Sequence, residues 1–263
     1  MKKRFLNYAV FFFFVSAVLS LILYPAMAQA QQDQVQKPKI FSEEYQLLTD
    51  TDLYCSFLIW DKRLPEIQII GSEREFERAM MVDSDTFYIN KGREEGMEIG
   101  QMFLALEISQ PVGKLGLLAQ KKGKVRIIRL EDHVSLCKVE KGCGDIRIGH
   151  YLIPFEEKPA VLGRDEGYHQ ELKPGESLEG KIIYLDTDFN IVSSGHWALI
   201  DLGTSHGIKP GQQLTVFRRS NKTNLPREAI ANVVVVDVQE NTSTVRILSS
   251  REAVEKGDTV QVK

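Results

Sequence analysis

Apolar residues along this chain come in short bursts and alternations, with almost no helical stripes. Segments such as TSTVRIL (242–248) and TVQV (259–262) are rich in valine and isoleucine and are bounded by glycine or polar turns. That is the pattern of half-buried strands. Residues 72–81, SEREFERAMM, are the one stretch that reads as a turn or short helix.

The strand pattern is stated twice. NKGREEGMEIGQMFLAL (90–106) lies over DLGTSHGIKPGQQLTVF (201–217) at an offset of 111, which places Gly92, Gly96 and Gly100 over Gly203, Gly207 and Gly211. Ile89 then falls over Ile200, and Phe103 over Leu214. Further on the offset is 108, with Val125 over Val233, Cys137 over Val245 and Gly149 over Gly257. The second copy is therefore three residues shorter in between. A period of about 110 residues is too long for a solenoid and marks a duplicated domain. About five or six short strands per copy predict an all-β protein of two tandem small β-barrel modules, because closure removes sheet edges that so small a unit cannot otherwise protect. The repeated glycines are expected to be a barrel corner, turning on positive φ or tight turns between two strands. A phosphate-cradling loop would need a helix to follow, and strand-like sequence follows instead.

The organisation that results is 1–28 signal peptide, 29–50 extended leader, 51–155 first module, 156–176 linker and 177–263 second module. Lys2, Lys3 and Arg4 precede a twenty-residue apolar run that ends at Pro25 and the small-residue stretch AMAQA, with cleavage expected after Ala28. The alternative is an uncleaved anchor, in which case membrane contact runs through that segment alone. The full chain carries 33 basic and 36 acidic residues, and loss of residues 1–28 takes three basic and no acidic ones, leaving a charge of −6. An acidic balance of this kind offers nothing to nucleic acid. Export makes the three cysteines candidates for one disulfide. Cys137 falls over the inward-facing Val245 and reads as a buried small hydrophobe, whereas Cys143 falls in the loop before the last strand. The favoured pair is Cys55–Cys143, tying the apolar lead-in around residues 50–60 to the first module; Cys137–Cys143 and no bridge at all stay open.

Candidate chemistry is sparse. His133, His150, His169, His196 and His206 are scattered without metal-ligand spacing, and no metal or cofactor is expected. Ser205 beside His206 lacks a nucleophile frame, and neighbours on a turn are expected to point apart. Asp83 with Asp85 and Asp186 with Asp188 read as turn formers. The basic run Lys121, Lys122, Lys124, Arg126 and Arg129 is expected on the solvent side of a hairpin.

Three stretches, DLYCSFLI (52–59), DTFYINKGREEGMEIGQMF (85–103) and the run from WALIDLGTSHG (197) to NVVVVDV (238), resemble a group of exported bacterial envelope proteins whose module is similar to the C-terminal domain of flagellar assembly protein T. The resemblance runs from about residue 50 to the C-terminus. Members often carry a LysM wall-binding domain, for which the residues between the apolar run and residue 50 leave no room. It implies a periplasmic, non-catalytic binding or scaffold protein that docks on an envelope or flagellar-type protein through strand edges or the glycine corners. Peptidoglycan or glycan binding is the second expectation, with Trp197 and Tyr88 as the aromatics in question. An exported hydrolase with Asp201, Ser205 or His206 in a cleft between the modules is the third.

Overall fold

The computed structural model describes residues 44–73, 80–168, 172–186, 189–219 and 225–263. A lead-in carries β1 (Tyr45–Gln46), the short helix α1 (Asp50–Tyr54) and β2 (Phe57–Trp60). There follow β3 (Ile67–Ser72), β4 (Met80–Met81), β5 (Thr86–Ile89), β6 (Met102–Pro111), β7 (Leu117–Leu130), β8 (Ser135–Gly142), β9 (Ile146–Arg147) and β10 (Tyr151–Pro154). After β11 (Leu162–Gly163) come β12 (Glu179–Leu185), β13 (Ile191–Val192), β14 (Trp197–Ile200), β15 (Gln213–Arg218), β16 (Glu228–Val238), β17 (Ser243–Ser250), β18 (Val254–Glu255) and β19 (Thr259–Val262). Of the expected helix at 72–81, residues 74–79 lie outside the described residues, while Ser72 ends β3 and Met80–Met81 is a strand.

The strands close two antiparallel six-stranded barrels, in the orders β3-β5-β8-β7-β6-β10 and β12-β14-β17-β16-β15-β19. Position for position the orders are the same. Each barrel adds a two-stranded flap, β4–β9 and β13–β18. Register shifts recur at matching places: Ile69/Gly71 with Ile182/Tyr184, Ala105/Leu106 with Val216/Phe217, Lys124/Val125 with Asn232/Val233, and Ile127/Arg129 with Val235/Asp237. Bulges bend and twist a strand locally, so duplication preserved the corners of the barrel as well as its strands. Phe103 pairs with Val125 and Leu214 with Val233, which places the three-residue difference at the tip of one hairpin.

The interiors match residue by residue. Ile69, Ile89, Ala105, Val125, Cys137 and Leu152 fill the first barrel where Ile182, Ile200, Val216, Val233, Val245 and Val260 fill the second. Each buried valine, leucine or isoleucine among them contributes roughly 1.5–3 kcal/mol by leaving water. Cys137 is free and buried, as the repeat predicts, and burial pushes its thiol up to about 12.

The barrels form one compact unit spanning residues 44–263. The lead-in is the reason. Thr49 and Asp52 close a capping box around α1, and the buried Asp52 carboxylate pairs with Arg246 of the second barrel at 2.8 Å. Leu48, Leu53 and Tyr54 pack between Leu104 and Leu106 of the first barrel and Val234 and Val236 of the second. β2, hydrogen-bonded to β7, brings Phe57 and Ile59 against Tyr184 and Leu199. Thr244 donates its hydroxyl to the Phe57 carbonyl at 2.6 Å. The disulfide is Cys55–Cys143, with a Cα separation of 5.3 Å, and it ties the lead-in to the end of β8.

Candidate functional site

The two glycine corners are the feature both copies share at the surface. At the first glycine the need is for space: Gly92 has φ −134°, but a Cβ there would sit 2.5 Å from the Glu131 carbonyl oxygen. The chain comes this close because Arg93 and Glu94 donate their N–H groups to Glu131 and Asp132 in the β7–β8 turn, at 2.9 and 3.0 Å. Thr204 and Ser205 donate in the same way to Gln239 and Glu240. The other glycines serve conformation, with φ of 79° and 88° at Gly96 and Gly100 and of 78° and 82° at Gly207 and Gly211. Each corner holds one 3-10 turn, Arg93–Glu95 or Thr204–His206.

Its chemistry differs between the copies. In the first, the Glu95 carboxylate accepts the Gly92 N–H at 2.7 Å and lies 3.1 Å from His133. The Gly92 N–H and then His133 hold the Glu95 carboxyl below the ordinary range. Hydrogen bonding to Glu95 and the charge of Glu94 hold His133 above its own. In the second, His206 stands in for Glu95, its Nδ1 accepting the Gly203 N–H at 3.1 Å. Ser205 and His206 do not point apart, since Ser205 Oγ lies 3.1 Å from that same Nδ1. The hydroxyl donates to the Glu240 carbonyl at 2.7 Å, and the nearest imidazole lone pair is already taken, so the pair closes the corner.

The remaining candidates fall into structural roles. Asp83 accepts the Gly142 N–H at 2.5 Å and Asp85 the Val82 N–H at 3.0 Å, as turn formers do. Asp188 lies outside the described residues. Asp186 is buried, which raises its carboxyl, and faces His196 at 3.4 Å. Asp201 accepts the Lys181 N–H at 2.5 Å and borders a concavity of about 1090 Å³ on the second barrel, among charges of both signs that include Arg218, Glu255 and Asp258. Neither Ser205 nor His206 lines it. Among the described residues, no group of histidine, cysteine and acidic side chains has the geometry of a metal site. Trp197 packs between the barrels with Arg246 over its ring, and the Tyr88 hydroxyl accepts from Arg129 at 3.0 Å.

The basic run divides: Arg126 and Arg129 face solvent on the β7–β8 hairpin as expected, but Lys121, Lys122 and Lys124 do not. β7 is long enough to cross from its own barrel to the inter-barrel seam, and Lys121 there is 1% exposed. Its ammonium donates to Leu53 O at 2.6 Å and Ser56 Oγ at 2.9 Å, and pairs with Asp237 of the second barrel. Lys158 closes on the other oxygen of Asp237. Lys122 is buried against Glu107 at 2.7 Å, and Lys124 lies over the Tyr54 ring at 4.1 Å. Sequence alone gave no sign of this, because a lysine destined for a seam reads like one destined for water.

No known protein family and no curated protein matches this chain. The disulfide fits an oxidising compartment. Among the described residues, no helix is long and apolar enough to cross a membrane.

Proposed function

We propose that this chain is a non-catalytic binding or scaffold protein of the bacterial cell envelope, exported by its N-terminal segment, that docks on an envelope or flagellar-type protein partner. The observation that carries the reading is the pair of corners. Backbone geometry is the same at both, yet Arg93, Glu94 and Glu95 are replaced by Thr204, Ser205 and His206, and the Ser205–His206 contact is spent on capping the turn. A shared frame with unshared side chains suits two recognition surfaces of different specificity on one rigid body. Ile99, 68% exposed, and the exposed Pro210 stand at matching tips.

The test places a photo-crosslinking residue at Ile99 or Pro210 in cells and, in parallel, sediments the purified chain with peptidoglycan sacculi. Discrete protein adducts from either corner, with the chain left in the supernatant, are expected. Saturable pelleting without adducts overturns the reading in favour of wall binding.

A further inference from the structure

The outer face of a closed barrel normally meets water, but Thr215, Asn232 and Gln261 of the second barrel are fully buried there. Register makes them one row: Thr215 is opposite Asn232 on β16 and opposite Gln261 on β19. Over Asn232 and the flanking Gln213 and Lys263 lie residues 161–168 of the connecting segment, as a strap, while Gln261 at the end of the row is held by Arg227 of the same barrel. Gln213 donates to the Arg164 carbonyl at 2.8 Å and accepts the Glu166 N–H at 3.1 Å. Lys263 donates to the Gly167 carbonyl at 2.9 Å and lies 3.4 Å from the Glu166 carboxylate. Just beyond, Gln261 donates to the Lys173 carbonyl at 2.9 Å. Most of these contacts read main chain, whatever side chains the segment carries. One side chain is read as well: Asp165 accepts from Asn232 and, at 2.8 Å, from the Gly167 N–H. Asn232 Oδ1 is left buried without a partner.

The first barrel has the same row in other chemistry. Lys124, Leu104 and Ile153 occupy the matching positions, and Tyr54 of the lead-in covers them with Phe155. That cover is held by apolar packing and by the Cys55–Cys143 disulfide. The cover of the second barrel is anchored at one end, where Val161 packs in the seam cluster and Leu162–Gly163 pairs with β1, and from residue 164 on it is held on the barrel by hydrogen bonds and one ion pair. One barrel thus has a fixed lid, and the other a lid built from exchangeable contacts.

We propose that the β15–β16–β19 face of the second barrel is a binding groove for an extended peptide of a protein partner, one with a carboxylate at the place of Asp165, and that residues 161–168 are its resident stand-in. The groove rests on the docking reading above and adds the site and the ligand class. A strap tethered at both ends competes at an effective concentration of about 1 mM, so a partner peptide displaces it when its concentration divided by its Kd exceeds that concentration divided by the Kd of the strap sequence.

The experiment uses the chain from residue 29 to 263 and a fluorescein-labelled synthetic peptide of residues 160–168, AVLGRDEGY. Two variants loosen the strap without touching the barrel: Asp165→Ala, and Gly167→Val, which strains a φ of 68° where an added Cβ meets nothing. The expected result is saturable binding to both variants, at least about tenfold tighter than to the parent chain, and weakened again by adding Lys263→Ala. Equal binding to parent and variants, or no binding to either up to about 1 mM, overturns the groove. So does a parent chain that dimerises through its own strap and excludes the peptide. A failure here leaves the corner cross-links standing, so the groove and the docking reading fall separately.

Discussion

Lys121 occupies a place where a leucine would pack, and the protein has surrounded its ammonium with two oxygens of the lead-in and the Asp237 carboxylate. Removing one partner of such a pair leaves an uncompensated charge, and Asp237→Ala is expected to cost about 3 kcal/mol at neutral pH. Lys121→Met leaves the Asp237 carboxylate still paired with Lys158 and should cost less than half as much in the same urea titration. Burial pushes the Lys121 ammonium down to about 8 from the ordinary 10.5, with Asp237 offsetting part of the shift. Between those values the unfolded chain binds more protons than the folded one, so stability should rise with pH from about 8 toward 10.5. The Met variant should lack that rise; an equal slope in both proteins would refute the assignment. Glycine roles separate at the same scale. Gly96→Ala should cost about 1–2 kcal/mol for its left-handed backbone. Gly92→Ala should cost more, because the Cβ meets carbonyls of a hairpin turn that is itself hydrogen-bonded to the corner.

At the scale of elements, the lead-in is a wedge whose position depends on one covalent bond. Replacing Cys55 and Cys143 with serine reopens a sequence separation of 88 residues, for which the chain-entropy model gives about 4.6 kcal/mol. Limited proteolysis should then cut first near residues 50–60. Cys137 should stay unreactive toward thiol reagents in the folded protein, since its thiol is buried and pushed up to about 12. Much of this was legible beforehand. Valine and isoleucine alternation, glycine spacing and the offset of 111 were enough for two barrels and their corners, and the fall of Cys137 over Val245 separated the thiols. Other features left no trace in the sequence. The burial of Lys121 depends on β7 outrunning its barrel, and the contact of Ser205 with His206 depends on a 3-10 turn too short to show periodicity. The strap was legible as a linker but not as a cover, because its contacts are mainly to backbone carbonyls that any sequence supplies.

For the whole molecule, the seam decides how the barrels behave. Clusters around Val234 and Val236 and around Tyr184 and Leu199 join both barrels to the lead-in. Calorimetry should therefore show a single transition with equal calorimetric and van't Hoff enthalpies. Val236→Asp, which puts a charge into the seam, should split it in two. Residues 177–263 expressed alone should self-associate through the uncovered patch. The seam also limits how many barrels can be strung together. By the repeat, Leu199, Val234, Val236 and Asp237, which receive the first barrel, correspond to Tyr88, Arg126, Ile128 and Arg129. There Arg126 is paired with Glu140 at 2.7 Å and Arg129 bonds Tyr88, so the first barrel presents charge where the second presents the apolar seam. A head-to-tail contact between like units can grow into a filament; paired charge on the matching face of the first barrel works against such growth.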